Sequence, residues 1–248
     1  MKKQIVTILF LCLFSCNKED VFDCIQTAGP IIETELAVSQ FSKILVNRDI
    51  ELILQQGEQQ RIVVETGENL INDIDVKVIE GQLILTDNNN CNLLRDYGLT
   101  KIIVTTPILT EIIASTQYDI SSNGTLTFEN LRLISEDYTY PDTYAVGNFI
   151  FDVDAQSVSI YSNNISFFYL SGNVNDLFVG FYAGAGRFEG EELVAQNVRV
   201  YHRGSNDMVV NPQVALTGDL LGTGDLISVN QPTVVDINQV YTGQLIFR

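Results

Sequence analysis

The sequence predicts an all-β protein: a hairpin-rich N-terminal β region followed by a solenoid of stacked coils. Three observations carry that reading. From Phe41 onward, short runs rich in branched residues alternate with period two. Glu80-Gly81 lies between "VKVI" and "QLIL" as a two-residue hairpin turn does. Past Pro107, a polar residue followed by an apolar one that begins a strand recurs about every 21 residues, the scale of one solenoid coil. No stretch sustains a helical period; "GENLINDI" supplies at most one turn.

Bulk properties agree. A chain of 248 residues fits one large all-β domain or two small ones, and 46% hydrophobic content supports a sizeable core. With 31 acidic residues against 14 basic ones, the formal charge is −17. Such a surface repels nucleic acid and anionic headgroups, so no nucleic-acid partner is expected.

In chain order, the N-terminus comes first. "MKKQIVTILFLCLFSC" has a basic start at Lys2 and Lys3 and an apolar run from Ile5 to Phe14. That run is too short to span a bilayer, which takes roughly 20 residues, and fits a signal-peptide core. It closes on Leu13-Phe14-Ser15-Cys16, which resembles a bacterial lipobox, although Phe14 is bulkier than the commonest pattern. The resemblance implies cleavage before Cys16, a lipid on its thiol and an acylated amine, giving a membrane partner through that anchor. The alternative is an ordinary secretory signal with an incidental cysteine. Residues 1–15 are thus read as signal and 16–30 as tether. Lys18-Glu19-Asp20 looks like an export signal to the outer face, or is simply a charged tether. The expected location is the cell envelope, as an outer-membrane lipoprotein on its periplasmic or cell-surface side.

With Cys12 lost in the signal and Cys16 lipidated, Cys24 and Cys91 remain. An oxidising compartment and an even remainder predict that they form a disulfide. Neither has further ligands nearby, so no metal is expected.

Residues 31–106 supply the hairpin-rich part through "FSKILVN", "IELILQQ", "RIVVETG", "IDVKVIEGQLILTD" and "KIIVTTP". Residues 107–248 supply the coils. Their corners are placed at Asp119-Ile120, Asn148-Phe149, Asn164-Ile165, Arg187-Phe188, Asp207-Met208 and Asp225-Leu226. "LGTGDL" looks like a phosphate loop, but it forms a series with "AGAGRF" and "RGSNDM", and no helix follows any of them. The glycines therefore serve tight corners. Asp119, Asn148, Asn164, Arg187, Asp207 and Asp225 are expected to stack into a column at the inter-strand spacing of about 4.8 Å.

These segments resemble the head GIN domain family, labelled auto-transporter adhesins. The likeness is carried by "FSKILVNRDIELILQQG", "RIVVETGENLINDIDVKVIEGQLIL", "PILTEIIAS" and "LTGDLLGTGDLISVNQP", with Asp23-Cys24 and Asn90-Cys91-Asn92. It covers roughly Cys24 to Arg248 and departs at "SEDYTYPDTYAVGN", where a shorter glycine-containing corner is usual. The resemblance implies a right-handed parallel β-helix-like solenoid and no settled biochemical activity.

Function follows by elimination. His202 is the only histidine, and no Ser/His/Asp cluster or paired-carboxylate motif is visible. His202 is read as a solvent-facing structural residue on the strand that carries Val200. Asp119, Asp207 and Asp225 read as hydrated corners. No cofactor and no catalytic residue are expected, and a polysaccharide-active β-helix enzyme is the alternative. The favoured function is an adhesin-like binding module with an unknown protein or glycan ligand. Its surface would be Tyr138, Tyr140 and Tyr144, since loop tyrosines offer rigid amphipathic contact area; packing over a solenoid edge is the competing role. A structural envelope protein that assembles as a homo-oligomer through its coils is the remaining reading.

Overall fold

The computed structural model describes residues 23–248, except 90, 94, 139–143 and 145. Among the described residues there are 17 β-strands and no α-helix. The first seven are β1 (Ile31–Leu36), β2 (Lys43–Asn47), β3 (Ile50–Gln56), β4 (Arg61–Gly67), β5 (Ile74–Ile79), β6 (Gln82–Asp87) and β7 (Thr100–Thr106). Three short ones follow: β8 (Glu111–Ser115), β9 (Ile120–Leu126) and β10 (Asn130–Ser135). Then come four long strands, β11 (Phe149–Ser162), β12 (Phe167–Phe181), β13 (Arg187–His202) and β14 (Met208–Leu220), and finally β15 (Leu226–Ser228), β16 (Val234–Gln239) and β17 (Leu245–Phe247). "GENLINDI" contributes a single 3-10 turn, Ile71–Asp73.

The strands form two parallel ladders. In the first, β6, β2, β8 and β10 are followed by the second halves of β11 to β14 and by β16. In the second, β7, β3 and β9 are followed by the first halves of β11 to β14, then by β15 and β17. One turn of chain therefore runs from a first-ladder strand, round a corner, to a second-ladder strand, and the next turn stacks on it. At one end β4 pairs antiparallel with β7, β1 with β4, and β5 with β6.

Alternation decides which side chains enter the space between the ladders. On the first ladder the inward column runs Ile44, Ile112, Leu133, Ile160, Val179, Val200, each almost fully buried. On the second it runs Leu52, Ile120, Phe149, Phe168, Phe188, Met208, Leu226, all at zero exposure. Phe149 and Phe168 lie 4.8 Å apart and nearly parallel, one strand spacing translated into ring stacking.

One expectation about the N-terminal part is corrected. It is not hairpin-rich: β5–β6 is the one hairpin between sequence neighbours among the described residues, turning at Glu80 and Gly81 with φ of 50° and 76°. β2 and β3 do not pair with each other; they belong to opposite ladders of one coil. The ladders run on across residue 106, since β2 and β3 pair directly with β8 and β9.

Candidate functional site

The outward surface of the first ladder carries the concentration of aromatic and cationic side chains. Because Leu133, Ile160, Val179 and Val200 point inward, their neighbours Arg132, Tyr161, Phe178, Arg199 and Tyr201 point outward. The register places Arg132, Ser159, Phe178 and Arg199 in one row, and Ile134, Tyr161, Gly180 and Tyr201 in the next. Tyr182 follows directly after β12.

Gly180 makes this surface possible. A Cβ there would lie 2.9 Å from the rings of both Phe178 and Tyr182, so the missing side chain lets those rings fold over the strand. Tyr161 sits 5.4 Å from Phe178 and 6.4 Å from Tyr182, and Tyr182 sits 5.0 Å from Tyr201, centroid to centroid. Three tyrosines from three consecutive coils thus form one row. Burial between Tyr161 and Tyr201 raises the Tyr182 hydroxyl's pKa, with Arg199 acting against that shift. The hydroxyl stays protonated and able to donate.

The cations are held differently. Arg132 lies 5.1 Å over Tyr161 and is paired with Glu111 at 3.2 Å, which also takes Lys43 at 3.5 Å. Arg199 lies 4.7 Å over Phe178 and has no carboxylate within ion-pair distance among the described residues. Beside this row runs a groove of about 570 Å³ lined by two carboxylates, Glu111 and Glu136, with Arg132, Tyr138, Tyr161 and Tyr182 among the rest. A second hollow of about 310 Å³ flanks the Phe178–Arg199 pair. The arrangement offers stacking surface, hydroxyl donors and a fixed positive charge, which is binding chemistry.

The three loop tyrosines separate. Tyr138 lines the groove and is 90% exposed. Tyr144 lies elsewhere, 4.8 Å beneath Arg48, with its N–H bonded to Ser115 Oγ at 3.3 Å. Tyr140 lies outside the described residues, as do Cys16, the signal segment and residues 16–22 of the tether. Sequence reasoning missed Arg132, Tyr161, Phe178, Tyr182, Arg199 and Tyr201. The available signal was aromatic and arginine side chains at outward positions of "SVSIYS", "DLFVGFY" and "NVRVYH", where short polar residues are usual.

The corner column exists with one substitution. Asn148 Nδ2 donates to Asp119 Oδ1 at 2.9 Å, and Asn148 Oδ1 accepts the N–H of Phe167 at 3.4 Å. Phe167, not Asn164, occupies that level. Phe168 must point inward between Phe149 and Phe188, and this sets the strand start two residues beyond Ile165. Asn164 instead offers its carbonyl to the N–H of Ala185 at 3.0 Å. Further along, Arg187 pairs with Asp207 at 3.5 Å and also with Glu189. Asp207 Oδ1 accepts the N–H of Asp225 at 3.0 Å, and Asp225 Oδ1 accepts that of Gln244 at 2.8 Å.

His202 is not solvent-facing. It shares the inward face with Val200 and is fully buried between Phe181 and Leu220, where the backbone of Asn206 is the polar group beside its ring. Burial lowers its pKa, while the backbone of Asn206 and the charges of Asp207 and Asp225 oppose that shift. Cys24 and Cys91 are joined by a disulfide, which ties the start of the described chain to the loop between β6 and β7. No group of three or more metal-ligating side chains occurs among the described residues.

A family model described as "Putative auto-transporter adhesin, head GIN domain" matches residues 40–232. The chain belongs to the head GIN domain family. This head GIN chain superposes on the crystal structure of a "putative adhesin" from Bacteroides fragilis NCTC 9343 with a TM-score of 0.79 and 20% identity, covering 90% of this chain and 99% of that one. A "putative lipid binding protein" from Parabacteroides distasonis ATCC 8503 gives 0.62 and 14%, covering 89% and 97%. A "putative adhesin" from Parabacteroides merdae ATCC 43184 gives 0.63 and 14%, with the same coverage. At these identities the likeness speaks to the fold of the head GIN domain. No curated protein matches the chain.

Proposed function

We propose that this protein is a cell-envelope lipoprotein, anchored through Cys16, whose head GIN domain is a non-catalytic, adhesin-like binding module. The groove between Arg132 and Tyr182 is its ligand site. The observation that carries this reading is the row Tyr161–Tyr182–Tyr201 on the outer surface of three consecutive coils. Aromatic rings gathered on the solvent side of a ladder, beside a groove and an exposed Tyr138, do nothing for the core and fit a binding surface.

The supporting fold is read as a right-handed β-helix, because crossovers between parallel strands of one sheet are right-handed in about 98% of cases. His202, the sole imidazole, is sealed inside the stack and out of reach of a substrate, which favours binding over catalysis.

An array of glycans and peptides, probed with the purified protein, tests the groove. Saturable binding that Tyr182→Ala and Tyr161→Ala abolish supports it. Binding unchanged in both variants, or ligand turnover, overturns it.

A further inference from the structure

Arg199, like Arg48 over Tyr144, lies over an aromatic ring without an ion pair among the described residues. The Phe178 ring, at 4.7 Å, orients its guanidinium. Arg132, three strands away in the same row, is already paired with Glu111. In a chain of net charge −17, an arginine presented on aromatic rings without a carboxylate partner is a local inversion of the surface charge. A planar guanidinium so held is shaped for a bidentate carboxylate.

The neighbouring groups narrow the ligand further. The hydroxyls of Tyr161, Tyr182 and Tyr201 have no hydrogen-bond partner in the protein among the described residues, and they line up over three coils. Two coil steps span about 10 Å, the length of one disaccharide. Short polar side chains border the row: Asn197 bonds Asp176 at 3.0 Å and Ser157 bonds Asn130 at 2.7 Å. Both sides of each inner strand are already paired in the ladder, so an added peptide strand has no free backbone to join.

We propose that the tyrosine row, together with the hollow beside Phe178 and Arg199, binds an acidic oligosaccharide, a glycan of uronic-acid units, laid along the stack with sugar rings against Tyr161, Tyr182 and Tyr201 and one carboxylate on Arg199, on the side away from Glu111 and Glu136. Sugar C–H patches meet the aromatic row, sugar hydroxyls meet the tyrosine hydroxyls and the Asn and Ser rim, and the charge is met once. The proposal rests on the binding role of the same tyrosine row and specifies its ligand.

The test uses the full chain and tyrosine fluorescence, which is available because the protein has ten tyrosines and no tryptophan. Probes are oligogalacturonate, oligomannuronate and hyaluronan oligomers, with a neutral cello-oligosaccharide for comparison. The expected result is saturable binding of at least one uronate, weakened by salt. Arg199→Gln should lose about tenfold in affinity, as removal of one charge-assisted contact does. Arg199→Lys should recover only part of it, and the neutral oligomer should bind more weakly by a similar factor. Because Arg199 is exposed, its variants should keep the wild-type unfolding midpoint. Neutral and acidic oligomers binding alike, an unchanged Arg199→Gln, or no uronate binding would each overturn the acidic-glycan proposal. If a neutral glycan or a peptide then binds in a Tyr182-dependent way, the tyrosine row stands as the binding surface and only its ligand class falls.

Discussion

The carboxylate of Asp207 accepts the backbone N–H of Asp225, 18 residues on, at 3.0 Å. Asp225 repeats the arrangement with Gln244 at 2.8 Å, 19 residues on. Each corner aspartate thus satisfies a donor at the start of the next coil. Two like charges one coil apart are tolerated because each carboxylate meets an N–H dipole and Arg187 faces Asp207.

Replacing Asp207 with Ala should therefore cost about 1 kcal/mol, the net worth of one hydrogen bond. Asp207→Asn, which keeps the acceptor, should cost less. Urea unfolding midpoints check both. Equal losses for Asn and Ala would mean that charge, and not the acceptor, matters at this corner.

Gly224 closes its corner directly over the one below. A Cβ there would stand 2.0 Å from the carbonyl oxygen of Asn206 and 2.6 Å from His202 Nε2. Gly224→Ala should destabilise by about 1–3 kcal/mol, the usual cost of overpacking. Gly81→Ala meets no atom within 4 Å, and its cost should be limited to backbone strain at φ 76°. Thermal melts of the two variants separate steric closure from turn strain.

His202 makes stability acid-sensitive. Its folded pKa lies below the ordinary imidazole value of 6.5 because it is buried. The folded state therefore prefers the neutral ring, and the contribution is complete above pH 6.5. It is lost as the pH falls from there toward the folded pKa. His202→Leu, set between Phe181 and Leu220, should flatten the melting-temperature profile below about pH 6.5 relative to wild type. Parallel profiles would remove His202 as the cause.

The Cys24–Cys91 bridge spans a sequence separation of 67. Thiol labelling of the oxidised, denatured protein should find neither cysteine free. The Cys24→Ser, Cys91→Ser double variant should lose about 2–5 kcal/mol, the usual cost of removing a native bridge.

For the envelope location, Cys16→Ala should move the protein from detergent-extracted membrane into soluble fractions. Retention in the membrane fraction would overturn the lipid anchor.

Local sequence determined the strands, the Glu80-Gly81 hairpin and the single turn at Ile71–Asp73, because alternation and turn chemistry act over a few residues. It also paired Cys24 with Cys91 by elimination, and showed through their recurrence that the glycines of "LGTGDL" belong to a corner. Partners and register were decided elsewhere. Whether β2 meets β3 or β8, and whether Asn164 or Phe167 stands at a corner, depends on which side chains stack across coils. That is a contact between residues about 20 apart, which no local period encodes. The same holds for His202, whose inward place follows from Val200 once the buried side of the strand is known. The groove is the extreme case: Arg132, Tyr161 and Tyr182 come from three successive coils and become one surface only when the coils stack.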